Sequence, residues 1–221
     1  MGTDPGPLIA SGRAADVYDH GDDMVLRRYK GDFNCELEAR AMRWVRANGV
    51  PVPLVHDAEG RDLVMERISG PTLLEDLEKR PWKVVAHAKL LASLQEQLNA
   101  LEAPEWFPEH PGVPSGDRAL HLDLHPMNVM LGDKGPVIID WSNFGRGRAS
   151  FDAALTMVVM STFVTRGVRD RVARRLMVSA FIRSRGRSFV RESLYDACRF
   201  RLQDRNITDT ERVRVERMLG Q

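Results

Sequence analysis

The sequence predicts an α+β fold: a short run of strands around one helix, then a mainly helical remainder. Three observations carry this. Apolar runs bounded by turn residues recur before residue 68, at 8–18, 24–29, 52–56 and 61–67. One helical pattern, from Asn34 to Asn48, interrupts them. From Trp82 onward the helical period of about 3.6 residues dominates on both sides of a loop-rich middle.

In order along the chain, Leu8 through Tyr18 reads as strand, tight turn, strand, with Ser11-Gly12 as the turn signal. Asp22-Asp23 turns the chain into Met24–Tyr29, a strand on which Val25, Arg27 and Tyr29 share one face. The helix from Asn34 to Asn48 has Ala39, Met42, Trp44 and Val45 as its apolar positions, Asp32 or Asn34 as cap and Asn48-Gly49 as stop. Val52–His56 and Arg61–Arg67 read as strands around Asp57-Ala58-Glu59-Gly60. Trp82 to Leu101 is an amphipathic helix, with His87 read as a surface or half-buried residue of it. Residues 103–116 form a loop rich in Pro and aromatics. A buried helix starts at Phe151, and three more follow at about Val168–Arg185, Phe189–Arg205 and Asp209–Leu219. Thr208 with Glu211 makes a capping box for the last.

At 221 residues the chain suffices for one large domain or two small lobes. Residues 1–7 show no secretory pattern, and no apolar run reaches spanning length. The longest such stretch, 153–164, is interrupted by Thr156, Ser161 and Thr162. Cys35 and Cys198 lie far apart and outside any metal spacing, which points to a reducing compartment. A cytoplasmic location and no membrane partner are expected. Charge is uneven: residues 1–165 balance at −7, and residues 166–221 at +8, where every basic residue is Arg.

The densest chemistry lies at His121-Leu122-Asp123-Leu124-His125-Pro126-Met127-Asn128 and at Val137-Ile138-Ile139-Asp140-Trp141. Pro126 interrupts any helix, so Asp123 and Asn128 share a tight loop. Asn128–Leu131 and Pro136–Ile139 read as a hairpin about Gly132-Asp133-Lys134-Gly135, which brings Asn128 and Asp140 together at its open end. An amide and a carboxylate oxygen suit Mg2+, which takes one or two carboxylates plus phosphate oxygens and water. Asp123 then serves as a base or orients an incoming hydroxyl. The pattern H-x-D-x-x-x-x-N followed by a strand-end Asp matches the phosphoryl-transfer template. Each residue also has a plain structural reading, as turn cap, loop amide or strand-end Asp.

H-x-D-x-H-P-x-N paired with I-D-W, and the step from Asp140 to Asp152, resemble the aminoglycoside phosphotransferase/choline kinase-like family of small-molecule kinases. That resemblance implies a bilobal protein-kinase-like fold. Residues 1–67 would be a nucleotide-binding lobe with a small antiparallel sheet and one helix, and residues 68–221 a mainly helical catalytic and acceptor-binding lobe. It implies ATP and Mg2+ as cofactors, Asp123 as catalytic residue, and Asn128 and Asp140 as metal ligands. Ser11 and Gly12 would cover the nucleotide phosphates. Arg27 stands where protein kinases have the Lys of V-A-I-K, with Arg28 or Lys30 as alternatives; Glu38, or else Glu36, would pair with it. Adenine would meet backbone groups near Glu66 and Ile68. Asp152 resembles the Asp of the family's D-L-A motif, which ties its helix to the catalytic loop, and it also reads as a helix cap.

The function implied is ATP- and Mg-dependent phosphorylation of a hydroxyl on a small molecule. Family acceptors such as aminoglycosides and choline are cations held by acidic or aromatic side chains. Here Ser142 and Asn143 follow Trp141 and the last quarter is basic, so a neutral or anionic acceptor is expected. Two other readings stand beside this one. A small atypical protein serine/threonine kinase shares the core pattern, but no A-P-E segment follows Asp140. A pseudokinase would act through its Arg-rich C-terminal helices. Nucleic acid is not expected, because Phe181, Phe189, Tyr195 and Phe200 sit at core-like spacings.

Overall fold

A computed structural model describes residues 5–163, 167–204 and 206–220. The parts of the expectations above that fall on residues 1–4, 164–166, 205 and 221 lie outside these. In chain order the elements are β1 (Leu8–Ser11), β2 (Ala15–Asp19), β3 (Met24–Tyr29), α1 (Glu36–Ala47), β4 (Val55–Glu59), β5 (Asp62–Glu66), α2 (Leu73–Lys79), α3 (Val84–Asn99) and β6 (Arg118–Leu120). Then come β7 (Val129–Gly132), β8 (Gly135–Ile138), β9 (Gly145–Gly147), α4 (Ala149–Thr162), α5 (Val168–Arg185), α6 (Arg187–Glu192), α7 (Leu194–Gln203) and α8 (Asp209–Leu219). The chain divides into two compact units. One runs to Gly70 and includes Met130–Ser142; the other comprises Pro71–Val129 and the chain from Asn143.

The first unit is built on an antiparallel sheet of order β1-β2-β3-β5-β4. Central β3 buries Val25, Leu26 and Tyr29, and α1 buries Ala39, Ala41, Met42 and Val45. In that register Arg27 lies opposite Val17 on one side and Leu63 on the other. Two boundaries differ from the sequence reading. The strand expected from Val52 begins at Val55, because Pro51 and Pro53 have no N–H to give a ladder and the Val52 carbonyl accepts from the Arg46 guanidinium. The N-cap of α1 is Cys35 rather than Asp32 or Asn34; the Asn34 side chain instead accepts from the Glu36 amide at 2.8 Å. Gly70 ties the unit together: a Cβ there would lie 2.0 Å from the Leu131 carbonyl oxygen, and its φ of +147° suits only glycine.

The second unit is helical. α4 is buried nearly all round, as an apolar helix without a polar face must be. Helix α2 was not expected, although Thr72 and Glu75 form a capping box at its start. Trp82 lies in a separate 3-10 turn, Pro81–Lys83, so α3 begins two residues later than expected. The helix expected from Phe189 is two, α6 and α7, broken at Ser193, whose buried hydroxyl bonds the Ser150 hydroxyl at 2.8 Å. That side-chain bond outweighs the continuity of the apolar period.

His87 is buried, contrary to its reading as surface or half-buried, and its Nε2 lies 2.7 Å from Asp76 Oδ2. This hydrogen bond, ahead of Arg80 and Lys83, holds the Asp76 carboxyl below its ordinary range. A carboxyl whose folded pKa is depressed stabilises fully above its unfolded pKa, and the gain disappears as pH falls through the folded value. Melting curves across acidic pH should therefore show the wild type losing more stability than Asp76→Asn. Parallel curves would refute a role for this pair in acid stability.

Candidate active site

In the second unit the residues around Asp123 hold one another. The Asn128 amide donates to the His125 carbonyl at 2.8 Å, which closes the turn that Pro126 begins. Asn128 Nδ2 donates to the Asp123 carbonyl at 2.8 Å and approaches Asp123 Oδ2 at 3.5 Å. His125 Nδ1 accepts from the Met127 amide at 3.3 Å, and its Nε2 lies 3.6 Å from Asp123 Oδ1 and 3.4 Å from Asn128 Nδ2. The Asp123 amide in turn donates to His121 Nδ1 at 3.3 Å.

Beneath the loop lies Asp152, fully buried on α4. It accepts from the Leu122 amide at 2.9 Å, the His121 amide at 3.4 Å, Asn99 Nδ2 at 3.0 Å and Gln95 Nε2 at 3.2 Å. Asp152 thus ties α4 and α3 to the backbone just before Asp123. It does not cap α4, whose N-cap is Arg148 with no side-chain bond. Leu122 sits at φ +63°, a conformation that costs a β-carbon residue about 1–2 kcal/mol. Its buried side chain and the bond to Asp152 hold it there, and the twist sets the direction in which Asp123 leaves the loop.

In the first unit a buried cation joins two acids. Arg27 Nη1 is 3.4 Å from Glu38 Oε1, and Arg27 Nη2 is 2.6 Å from Asp140 Oδ1. Burial works against the Arg27 charge, but Asp140, Tyr29 and Glu38 outweigh it and hold its pKa above the ordinary value. Burial pushes the Glu38 carboxyl up, opposed by Arg27 and by a hydrogen bond from the Tyr29 hydroxyl. Asp140 itself lies at φ +63°, two residues past β8, and also accepts from the Ser142 hydroxyl at 3.0 Å. The next residue, Trp141, is buried and anchors the turn through Nε1 to the Ile138 carbonyl at 3.1 Å.

The two alternatives to Arg27 are engaged elsewhere. Arg28 grips Asp62 with two bonds, at 2.7 and 2.6 Å. Lys30 donates to the Gly12 carbonyl at 2.8 Å and lies 3.0 Å from Asp16, which accepts from the Ser11 hydroxyl at 2.6 Å. Lys30 therefore braces the Ser11-Gly12 turn. Glu36, the competitor of Glu38, is exposed and meets the Gly60 amide at 3.5 Å. The Glu66 amide donates to the Leu54 carbonyl at 2.8 Å, which removes it as a donor to a nucleotide base. Among the described residues no group of three or more His, Cys, Asp or Glu is placed to hold a metal.

The sequence reading missed Gln95, Asn99, His121 and Tyr29 as supports of these two arrangements. The signal for the first pair was present: two amides one helical turn apart on an apolar helix need a polar partner.

The sequence profile of the phosphotransferase enzyme family matches residues 6–112 and 67–192. The chain belongs to this family. Its fold is that of solved choline/ethanolamine kinases and aminoglycoside phosphotransferases. A choline/ethanolamine kinase family protein from Mesorhizobium loti superposes with a TM-score of 0.61 at 17% identity, covering 97% of this chain and 86% of that one. An ADP-bound aminoglycoside phosphotransferase, APH(2'')-Ib, gives 0.63 at 12%, covering 97% and 91%. An amicoumacin kinase with AMP-PNP and Ca2+ gives 0.56 at 13%, covering 97% and 86%. Comparison with curated protein sequences gives no match.

Proposed function

We propose that the protein transfers a phosphoryl group from ATP, with Mg2+, to a hydroxyl of a small molecule. The observation that carries this reading is the commitment of Asn128 Nδ2 to the Asp123 carbonyl. That bond leaves the amide oxygen as the group Asn128 can offer a cation. Mg2+ takes hard oxygen ligands of this kind alongside carboxylates and phosphate, and Asp140 would supply the carboxylate. Relatives bound to ADP, or to AMP-PNP and a divalent cation, support the same assignment.

In this mechanism Asp123 orients the acceptor hydroxyl and takes up its proton. Asn128 and Asp140 would hold the metal, each through a side-chain oxygen. Arg27, fixed by Glu38, neutralises phosphate charge, and its planar guanidinium can bind two oxygens where a Lys would offer a point charge. Ser11 and Gly12 cover the phosphates, and adenine meets backbone groups at Ile68 and the Glu66 carbonyl. Mg-ATP, when bound, supplies the transferable group and the charge screening. Positioning and electrostatics do the rest. The acceptor is neutral or anionic, a reading supported by Ser142 and Asn143 after Trp141.

The test is thermal melting with and without Mg-ATP, on wild type and Asp140→Ala. Ligand at about 100 times its Kd adds roughly 2.7 kcal/mol. At roughly 2–4 °C per kcal/mol the shift should be about 5–10 °C, and it should largely vanish in the variant. No shift at saturating Mg-ATP in folded protein would overturn the nucleotide site. Rapid turnover of kanamycin or choline in the same preparation would overturn the acceptor class alone.

A further inference from the structure

Helix α5 has two apolar faces. Met177, Ala180 and Phe181 are buried on one. On the other, Val168, Val172 and Leu176 recur every fourth residue and are 67%, 50% and 47% exposed. Exposed Arg169, Arg171, Arg175 and Arg183 flank this outer stripe, and none of them has a carboxylate partner among the described residues. Asp170, the one acid of the helix, falls on the other side. Two further arginines, Arg174 and Arg214, donate to the Phe163 carbonyl at 2.9 and 2.8 Å, bringing their guanidinium groups to the same end.

That end carries one more exposed apolar group. α3 and α5 pack along each other, and Arg185 at the end of α5 donates to Asn99 at the end of α3 at 2.9 Å. The helices therefore run in the same direction, and their first turns lie together. Trp82, just before α3, is 74% exposed.

We propose that the outer face of α5 docks the protein on an anionic lipid surface, with Val172 and Leu176 entering the headgroup boundary and Arg171, Arg175 and Arg183 meeting lipid phosphates. Aliphatic side chains between arginines match the two layers of a bilayer interface. A second copy of the chain would set arginine against arginine. A nucleic acid would leave Val168, Val172 and Leu176 unused. No helix of the described residues is long and apolar enough to cross a membrane, so this contact is peripheral.

The test is sedimentation of the full chain with vesicles of phosphatidylglycerol and phosphatidylcholine, against phosphatidylcholine alone. The wild type should be retained on the anionic vesicles only. Arg171→Glu with Arg175→Glu should weaken retention by at least about thirtyfold, the effect of two charges of a polybasic segment. Val172→Ser with Leu176→Ser should weaken it as well, while Arg43→Glu on α1 should not, all with wild-type melting curves. No retention of wild type would overturn the proposal, as would full retention of the serine variant, which marks simple charge capture. A lipid-free dimer dissolved by the serine substitutions would give the face to self-association instead. Failure on vesicles with serine-sensitive binding to polyglutamate would give it to an acidic protein.

Discussion

Asp123→Ala should lose about 10²–10⁴-fold in phosphotransfer while keeping its fold, the range a positioned general base contributes. The loop around it is held through the Asp123 backbone: the amide donates to His121, and the carbonyl accepts from Asn128. Alanine keeps both groups, so the melting temperature should stay close to that of wild type. Asp123→Asn keeps the shape and removes the charge. It should lose nearly as much activity, because an amide cannot take the acceptor's proton. Turnover is read as ADP released per enzyme, with saturating Mg-ATP and an acceptor that the wild type uses. Wild-type turnover in either variant would refute the assignment. Equal binding of Mg-ATP by variant and wild type would show that the loss lies in the transfer step and not in nucleotide affinity.

What was legible in the chain follows how local each arrangement is. Asp123, His125 and Asn128 fold onto one another across a few residues, so their spacing and Pro126 between them already dictate a shared loop. Arg27 could be placed by strand alternation, and the structure shows why Arg28 and Lys30 are not its equivalents: each has its own acid, Asp62 or Asp16. The second partner of Arg27 was not legible, because Asp140 lies 113 residues away and nothing local encodes the meeting. The left-handed backbone of Leu122 was hidden for a similar reason. Leucine has no preference for that conformation, and it is held there by burial and by the distant Asp152 carboxylate. The break at Ser193 and the burial of His87 depend likewise on single long-range side-chain bonds, against which a helical period carries no information.

Asp152→Ala should be the most damaging of these substitutions to stability, at about 3–5 kcal/mol, the cost of removing one member of a buried charged network. Its carboxylate gathers donors from α3 and from the backbone at His121 and Leu122, and all of them lie where water cannot replace it. At roughly 2–4 °C per kcal/mol the melting temperature should fall by on the order of 10 °C. Asp152→Asn should recover only part of this. It restores one carbonyl acceptor but turns an NH2 group toward groups that are themselves donors. Activity should fall as well, since Leu122 loses the bond that holds its φ of +63° and Asp123 follows it in the chain. The two effects separate by temperature. Well below the melting point of the variant, turnover should remain depressed although the protein is folded, which a purely global destabilisation would not produce. A variant that melts within about 2 °C of wild type would show that Asp152 is not the strut the geometry describes.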